Sequence, residues 1–245
     1  MESRIAKEIQ LRYQPVAVLF TDEKPAPAAQ FKPHRFGCVV SMLAAAGKGW
    51  TAVFDRETTG CLGGQTGLCF GDGYQGRDIG PFLASGPGEG GRGGLGYLKS
   101  PQIARQVLGA LPVADIPEAY VVLKPLDKVD PEKEAPMAVI FLANADQISA
   151  LSVLANYDRP DGDAVSVPFA SGCQSVCLLP FAESKKDRPR AVLGGMDISA
   201  RPHLDPDLLT FTVPWAMFQD MEDNVPGSFL EKDEWARVKD RAAKP

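Results

Sequence analysis

The chain reads as an α/β (or α+β) protein, a mixed β-sheet with flanking helices and a long glycine-rich loop. Three observations predict this. Short apolar runs rich in β-branched residues recur at 16–20, 50–54, 120–123, 137–142 and 191–193, each of strand length. Amphipathic segments with recognisable caps stand between them. Fifteen of the 24 glycines fall between Gly60 and Gly96, a density that costs roughly 0.5–1 kcal/mol per residue in a helix or strand interior.

In order along the chain, Ile5, Ile9 and Leu11 lie among charges at near-helical spacing until Pro15 stops the pattern. The strand at 16–20 follows, then a turn at Lys24-Pro25-Ala26-Pro27. Gly37-Cys38 opens an apolar helix that Gly47 ends, which puts Cys38 in its first turn. There the amides and the helix field favour a thiolate, as a nucleophile or a metal ligand requires. A strand at 50–54 feeds the glycine-rich loop, 58–98, which carries Cys61 and Cys69.

Ser100-Pro101 caps the next helix, with Ile103, Ala104, Val107 and Leu108 as its buried stripe. The run 137–142 is the most hydrophobic strand and is expected at the sheet centre. Asn144 precedes an amphipathic helix through Leu151 and Leu154. Residues 164–168 read as an edge strand, 211–213 as a further strand and 215–221 as a helix. The charged end, 231–245, reads as a solvated or frayed helix. The whole is one domain, 1–245, in which strand, helix and cysteine-bearing loop occur twice, so that 1–115 and 116–245 are candidate duplicated halves.

A net charge of −5 and the lack of a basic stripe disfavour nucleic acid and anionic membranes as partners. No apolar run reaches the ~20 residues of a membrane span. The expected location is cytoplasmic, and five cysteines in such a chain point to thiol or metal chemistry rather than a disulfide framework. Three of them follow glycine: Gly37-Cys38, Gly60-Cys61 and Gly172-Cys173.

Those pairings suggest three backbones meeting at one object. Cys38, Cys61, Cys69 and Cys173 supply four thiolates, enough for a metal centre, with Gly60, Gly63, Gly64 and Gly172 letting the backbone approach it closely. An iron-sulfur cluster of the 4Fe-4S type is favoured over zinc because close Cys-x-x-Cys knuckles are missing. Cys177, in an apolar run, reads as a packed hydrophobe. Arg92 and Arg201 are candidate clamps for an anionic substrate, and Asp72 and Glu57 candidate acid and base. The expected function is redox, Lewis-acid or sulfur chemistry on a small anionic ligand. A closed four-cysteine sensor or electron carrier with a redox partner, and a metal-free phosphate or flavin binder, are the alternatives. A homodimer over 137–142 or the C-terminal helix is open.

Pro15-Val16-Ala17-Val18, Arg35-Phe36-Gly37-Cys38, Gly60-Cys61 with Gly63-Gly64 and Gly67-Leu68, and Ser171-Gly172-Cys173 together resemble the family known as domain of unknown function 169, or ArCR. The resemblance covers nearly the whole chain. It implies a single α/β unit and, because it falls on Cys38, Cys61 and Cys173, a three-cysteine centre over a four-cysteine one.

Overall fold

A computed structural model describes residues 1–86 and 93–242. Eight strands form one mixed sheet: β1 (Val16–Thr21), β2 (Ala29–Gln30), β3 (Ala52–Phe54), β4 (Tyr120–Pro125), β5 (Ala138–Ala143), β6 (Val165–Ser166), β7 (Ala191–Gly194) and β8 (Leu209–Pro214). Their order is β2-β3-β4-β1-β5-β8-β7-β6. The two edge pairs, β2 with β3 and β6 with β7, are parallel, and every other pair is antiparallel. As its hydrophobicity predicts, β5 is central and buried along its whole length. Having β1 on one side and β8 on the other, it offers no free edge to a second copy at 137–142.

The sheet repeats itself about its middle. β1 and β5 pair as Val16↔Ile140, Ala17↔Val139 and Val18↔Ala138. Outward from there, β1 meets β4 from Val16↔Pro125 to Thr21↔Tyr120, and β5 meets β8 from Ala138↔Pro214 to Ala143↔Leu209. Three-residue registers then join β3 to β4 and β7 to β8. Outward from the centre, each half-sheet therefore runs first, fourth, third and second strand, the last two parallel. β4 belongs with the first half, since it pairs with β1 and β3.

Helices cover both faces, giving three layers. On one face α1 (Arg4–Glu8), α6 (Ala145–Ala155), α8 (Trp215–Asp223) and α9 (Asp233–Ala242) bury Ile5, Leu151, Phe218 and Trp235. The other face carries α2 (Val39–Gly47), α3 (Leu62–Gly67), a π-helical turn (Gln174–Leu178) and α7 (Leu179–Ser184), with Leu43, Leu68, Cys69 and Val176 in its core. Two further helices, α4 (Gly80–Leu83) and α5 (Pro101–Ala110), lie against each other outside the sheet, and Ser100 caps α5 as its sequence indicates.

Two expectations are corrected. The glycine-rich stretch 58–98 is not one loop: α3 and α4 fall inside it, while 87–92, including Arg92, lies outside the described residues. The glycines of α3 are compensated by close packing. A Cβ on Gly67 would stand 2.7 Å from Cys173 Sγ, and one on Gly64 would stand 3.2 Å from Cys61 Cβ. The charged chain end is corrected only in part: it is a largely exposed helix over Asp233–Ala242, anchored rather than frayed, and 243–245 lie outside the described residues. Trp235 Nε1 donates to Glu8 O at 3.2 Å, and Lys239 pairs with Glu8 at 2.8 Å.

Glu183 ties α7 to the entry of β7. Its carboxylate accepts from Lys186 Nζ at 2.7 Å, Arg190 N at 3.0 Å and Arg190 Nη2 at 3.1 Å. Burial pushes this carboxyl up, but the hydrogen bonds from Arg190 and Lys186 outweigh it, and the net position is below the ordinary glutamate range. A carboxyl lowered on folding stabilises above its unfolded pKa, about 4.3, and loses that contribution as pH falls through its folded value. Glu183→Gln is therefore expected to cost about 2 kcal/mol at pH 7 by urea unfolding. The difference from wild type should shrink below about pH 4.

Candidate functional site

Cysteine stands at the N-cap of two helices, Cys38 before α2 and Cys61 before α3, while Cys173 lies in the first turn of a third helix, whose start is capped by Ser171. Neither Cys38 nor Cys61 makes a capping hydrogen bond. N-caps favour Ser, Thr, Asp or Asn, whose oxygen satisfies an orphan amide; a thiol does this poorly. Local stability gives no reason for sulfur at these positions.

The fold explains how they meet. Cys38 lies between edge strand β2 and the helix before β3, and Cys173 lies between edge strand β6 and the helix before β7. The two Gly-Cys turns thus hold matching places in the repeated half-sheets and reach the same face. Cys61 arrives separately, from the segment after β3. A Cβ on Gly60 would come within 2.6 Å of Arg35 O, so that segment lies directly against the chain leading to Cys38. A Cβ on Gly172 would meet Val40 Cγ2 at 2.6 Å, which presses the Cys173 turn onto α2.

Sulfur positions follow from these contacts. Cys173 Sγ donates to Gly63 O at 3.1 Å and lies 3.3 Å from Ser171 Oγ. A Cβ on the same Gly63 would be 4.0 Å from Cys61 Sγ and 2.9 Å from Tyr74 Oη. The Cys61 and Cys173 thiols are within electrostatic reach of each other and of Cys38. Cys38 and Cys61 are half-buried, and Cys173 is buried.

Burial pushes the Cys61 thiol up, against the amides of Gly64 and Gly63, which favour its thiolate without forming a geometric cap. Cys173 is pushed up to about 12 by desolvation, against its contact with Ser171. Tyr74 is raised as well, first by burial and then by the neighbouring Cys173 and Cys61. At neutral pH, then, Cys61 and Cys173 are protonated. Helix-terminus fields fall off within one turn and are outweighed here by lost hydration.

The metal-centre expectation is corrected by this geometry. Among the described residues no three His, Cys, Asp or Glu side chains are grouped so as to hold a metal ion. Cys69 does not join the other three: it turns through φ +62° into the core, where its Sγ is 4.0 Å from that of Cys177. Electrostatic reach is longer than a ligand shell, and the Cys173 thiol is already engaged with a carbonyl. The four-thiolate cluster reading and its sensor alternative fail on the same ground. Protein atoms also fill the close approaches at Gly60, Gly63, Gly64 and Gly172 that a phosphate or flavin would have used.

Other candidates lie apart. Arg201 spends its guanidinium on the carbonyls of Leu208, Pro206 and Asp205 within its own turn. Asp72 accepts from the amides of Tyr74 and Gly76, closing a tight turn, and Glu57 is exposed. Asp197 was missed. Its Oδ2 accepts from Gly172 N at 3.3 Å, and its Oδ1 accepts from Tyr97 Oη at 3.2 Å and Ser199 N at 3.0 Å. Asp197 therefore fixes the Cys173 turn. The only sequence signal was the Gly194-Gly195-Met196-Asp197 turn.

A methyl group at residue 67 would collide with the sulfur, Cβ and carbonyl carbon of Cys173, all within 2.9 Å. Gly67→Ala is expected to lose about 2 kcal/mol or more in urea unfolding. With its thiol held near 12 and buried, Cys173 should alkylate with iodoacetamide at pH 8 at least ~100-fold more slowly in the folded protein than after denaturation. Mass spectrometry of the Cys173 peptide over time measures this.

A family profile described as domain of unknown function 169, uncharacterised ArCR, matches residues 4–224. No curated protein and no solved structure matches the chain.

Proposed function

The chain belongs to the uncharacterised ArCR family, and we propose that it performs thiol–disulfide exchange with small-molecule disulfides through Cys38 and Cys61. One observation carries this reading. Cys38 and Cys61, from separate segments, stand at helix N-caps within electrostatic reach of each other, where sulfur contributes nothing to capping.

Cys38 and Cys61 are the exchanging pair because they are the two half-buried thiols and their backbones touch at Gly60 and Arg35. Cys38 stands at the start of α2. Its thiolate attacks one sulfur of R–S–S–R, giving the mixed disulfide Cys38–S–S–R and releasing RS⁻, which takes a proton from water. Cys61 loses its proton to solvent and attacks the Cys38 sulfur. The protein disulfide forms and the second RS⁻ leaves. Two protein thiols and one small disulfide become one protein disulfide and two small thiols. Cys173 holds Gly63 in place and takes no part in the exchange.

The surroundings suit a small organic partner. Phe36, Val167, Phe169, Met196 and Ile198 are all exposed, and each lies within six residues of Cys38, Cys173 or Asp197 in the chain. Scattered exposed apolar residues are ordinary, but a set flanking one thiol site gives an organic disulfide apolar surface to lie on.

Reduced protein incubated with oxidised glutathione should lose two hydrogens and yield a Cys38–Cys61 linked peptide. Cys61→Ser should instead stop at a glutathione adduct on Cys38, and Cys38→Ser should form neither product while remaining at least as stable as wild type, since serine caps better. Loss of exchange in Cys173→Ala with Cys38 and Cys61 intact, or a linkage that never includes Cys38, sinks the assignment.

A further inference from the structure

A cleft lies away from the cysteines, at the end of the sheet where β1 and β8 finish and β4 and β5 begin. It holds about 490 Å³, within the range of small-molecule sites. Phe20, Met137, Phe181 and Trp215 form its apolar walls, with four prolines around them, and Glu118 and Lys185 supply charge. Proline walls are stiff, so the shape is largely set before anything binds.

Glu118 is the unusual member. Its Oε2 is buried and has no hydrogen-bond partner among the described residues. Arg56 does not serve it: Nη1 donates to the Glu118 backbone oxygen at 3.2 Å, while Nη2 is taken by Asp115 at 2.7 Å and by Ile116 O. Lys185 does not reach it either, for its Nζ sits 4.5 Å from the centroid of the Phe181 ring. Although Oε2 itself is shielded, the Glu118 side chain as a whole is half-exposed and lines the cleft with no ion-pair partner among the described residues, so its carboxylate is free to take a donor from the cleft.

We propose that this cleft binds a small organic amine: an apolar, preferably aromatic body lying against Trp215 and Phe20, with its ammonium group donating to the Glu118 carboxylate. The charge sign follows from the unpaired carboxylate, and the apolar body follows from the walls. Aromatic faces add attraction for the same cation. An anion would meet Glu118 with repulsion, Asp115 being paired with Arg56. A purely apolar guest would leave Oε2 as it is.

The test uses 2-phenylethylamine and its near-isosteric anion 3-phenylpropionate, titrated calorimetrically into the full-length protein at pH 7. The amine should bind saturably, the anion should not, and Glu118→Gln should weaken the amine at least about tenfold. In the absence of ligand, Glu118→Gln should keep or raise the melting temperature, because it removes an unpaired charge. Equal binding of amine and anion, an unchanged affinity in Glu118→Gln, or no saturable amine binding overturns the proposal. Cys38→Ser should leave the amine affinity unchanged, so this outcome is independent of the thiol chemistry.

Discussion

Ala17 and Val139 face each other at the middle of the sheet, and the antiparallel pairing centred on them sets where everything else goes. Because β1 and β5 run in opposite directions with a symmetric register, whatever follows each strand in the same order is delivered to matching places. The fourth strand of each half pairs outward, the parallel edge closes the half, and the turn leaving that edge returns over one face. Cys38 and Cys173 are both on that turn. Their meeting is a consequence of strand register rather than of any attraction between thiols.

What the two halves do not share makes the site chemically distinct. After β3 the chain inserts α3 and Cys61; after β7 it makes the short turn that carries Asp197. The first supplies a sulfur, and the second supplies the carboxylate that accepts from Gly172 N. Glycines in α3 sacrifice helix propensity so that Cys173 can pack against the helix backbone. The cost is local and the compensation is tertiary. A π-helical turn beginning at Cys173 fits the same picture, since such turns insert a residue where packing or chemistry requires it.

The thiol site and the amine cleft share elements without sharing atoms. The π-helical turn that starts at Cys173 runs into α7, whose far end presents Phe181 and Lys185 to the cleft. Cys69 O accepts from Ile116 N at 2.9 Å, tying the end of α3 to the segment that carries Glu118. Between them, Cys69 and Cys177 are in van der Waals contact with no exposure, packed as hydrophobes.

Much of the fold was legible in the chain because local physics wrote it. Period-two and apolar runs marked β1, β4, β5, β7 and β8, serine and proline marked the start of α5, and asparagine marked that of α6. The glycine neighbours of Cys38, Cys61 and Cys173 suggested one shared centre, but the structure brings these thiols only within electrostatic reach and groups no three side chains for a metal among the described residues. Sequence could not show that Cys69 turns inward to Cys177, because a positive φ at one residue depends on what packs around it. Nor could it show that desolvation outweighs the helix-end field at Cys61, since burial is a property of the assembled layers. The residue types and the strand pattern were the sequence's to determine. Which sulfurs face one another, and in what protonation state, was decided only by tertiary structure, because both depend on distances between segments more than a hundred residues apart in the chain.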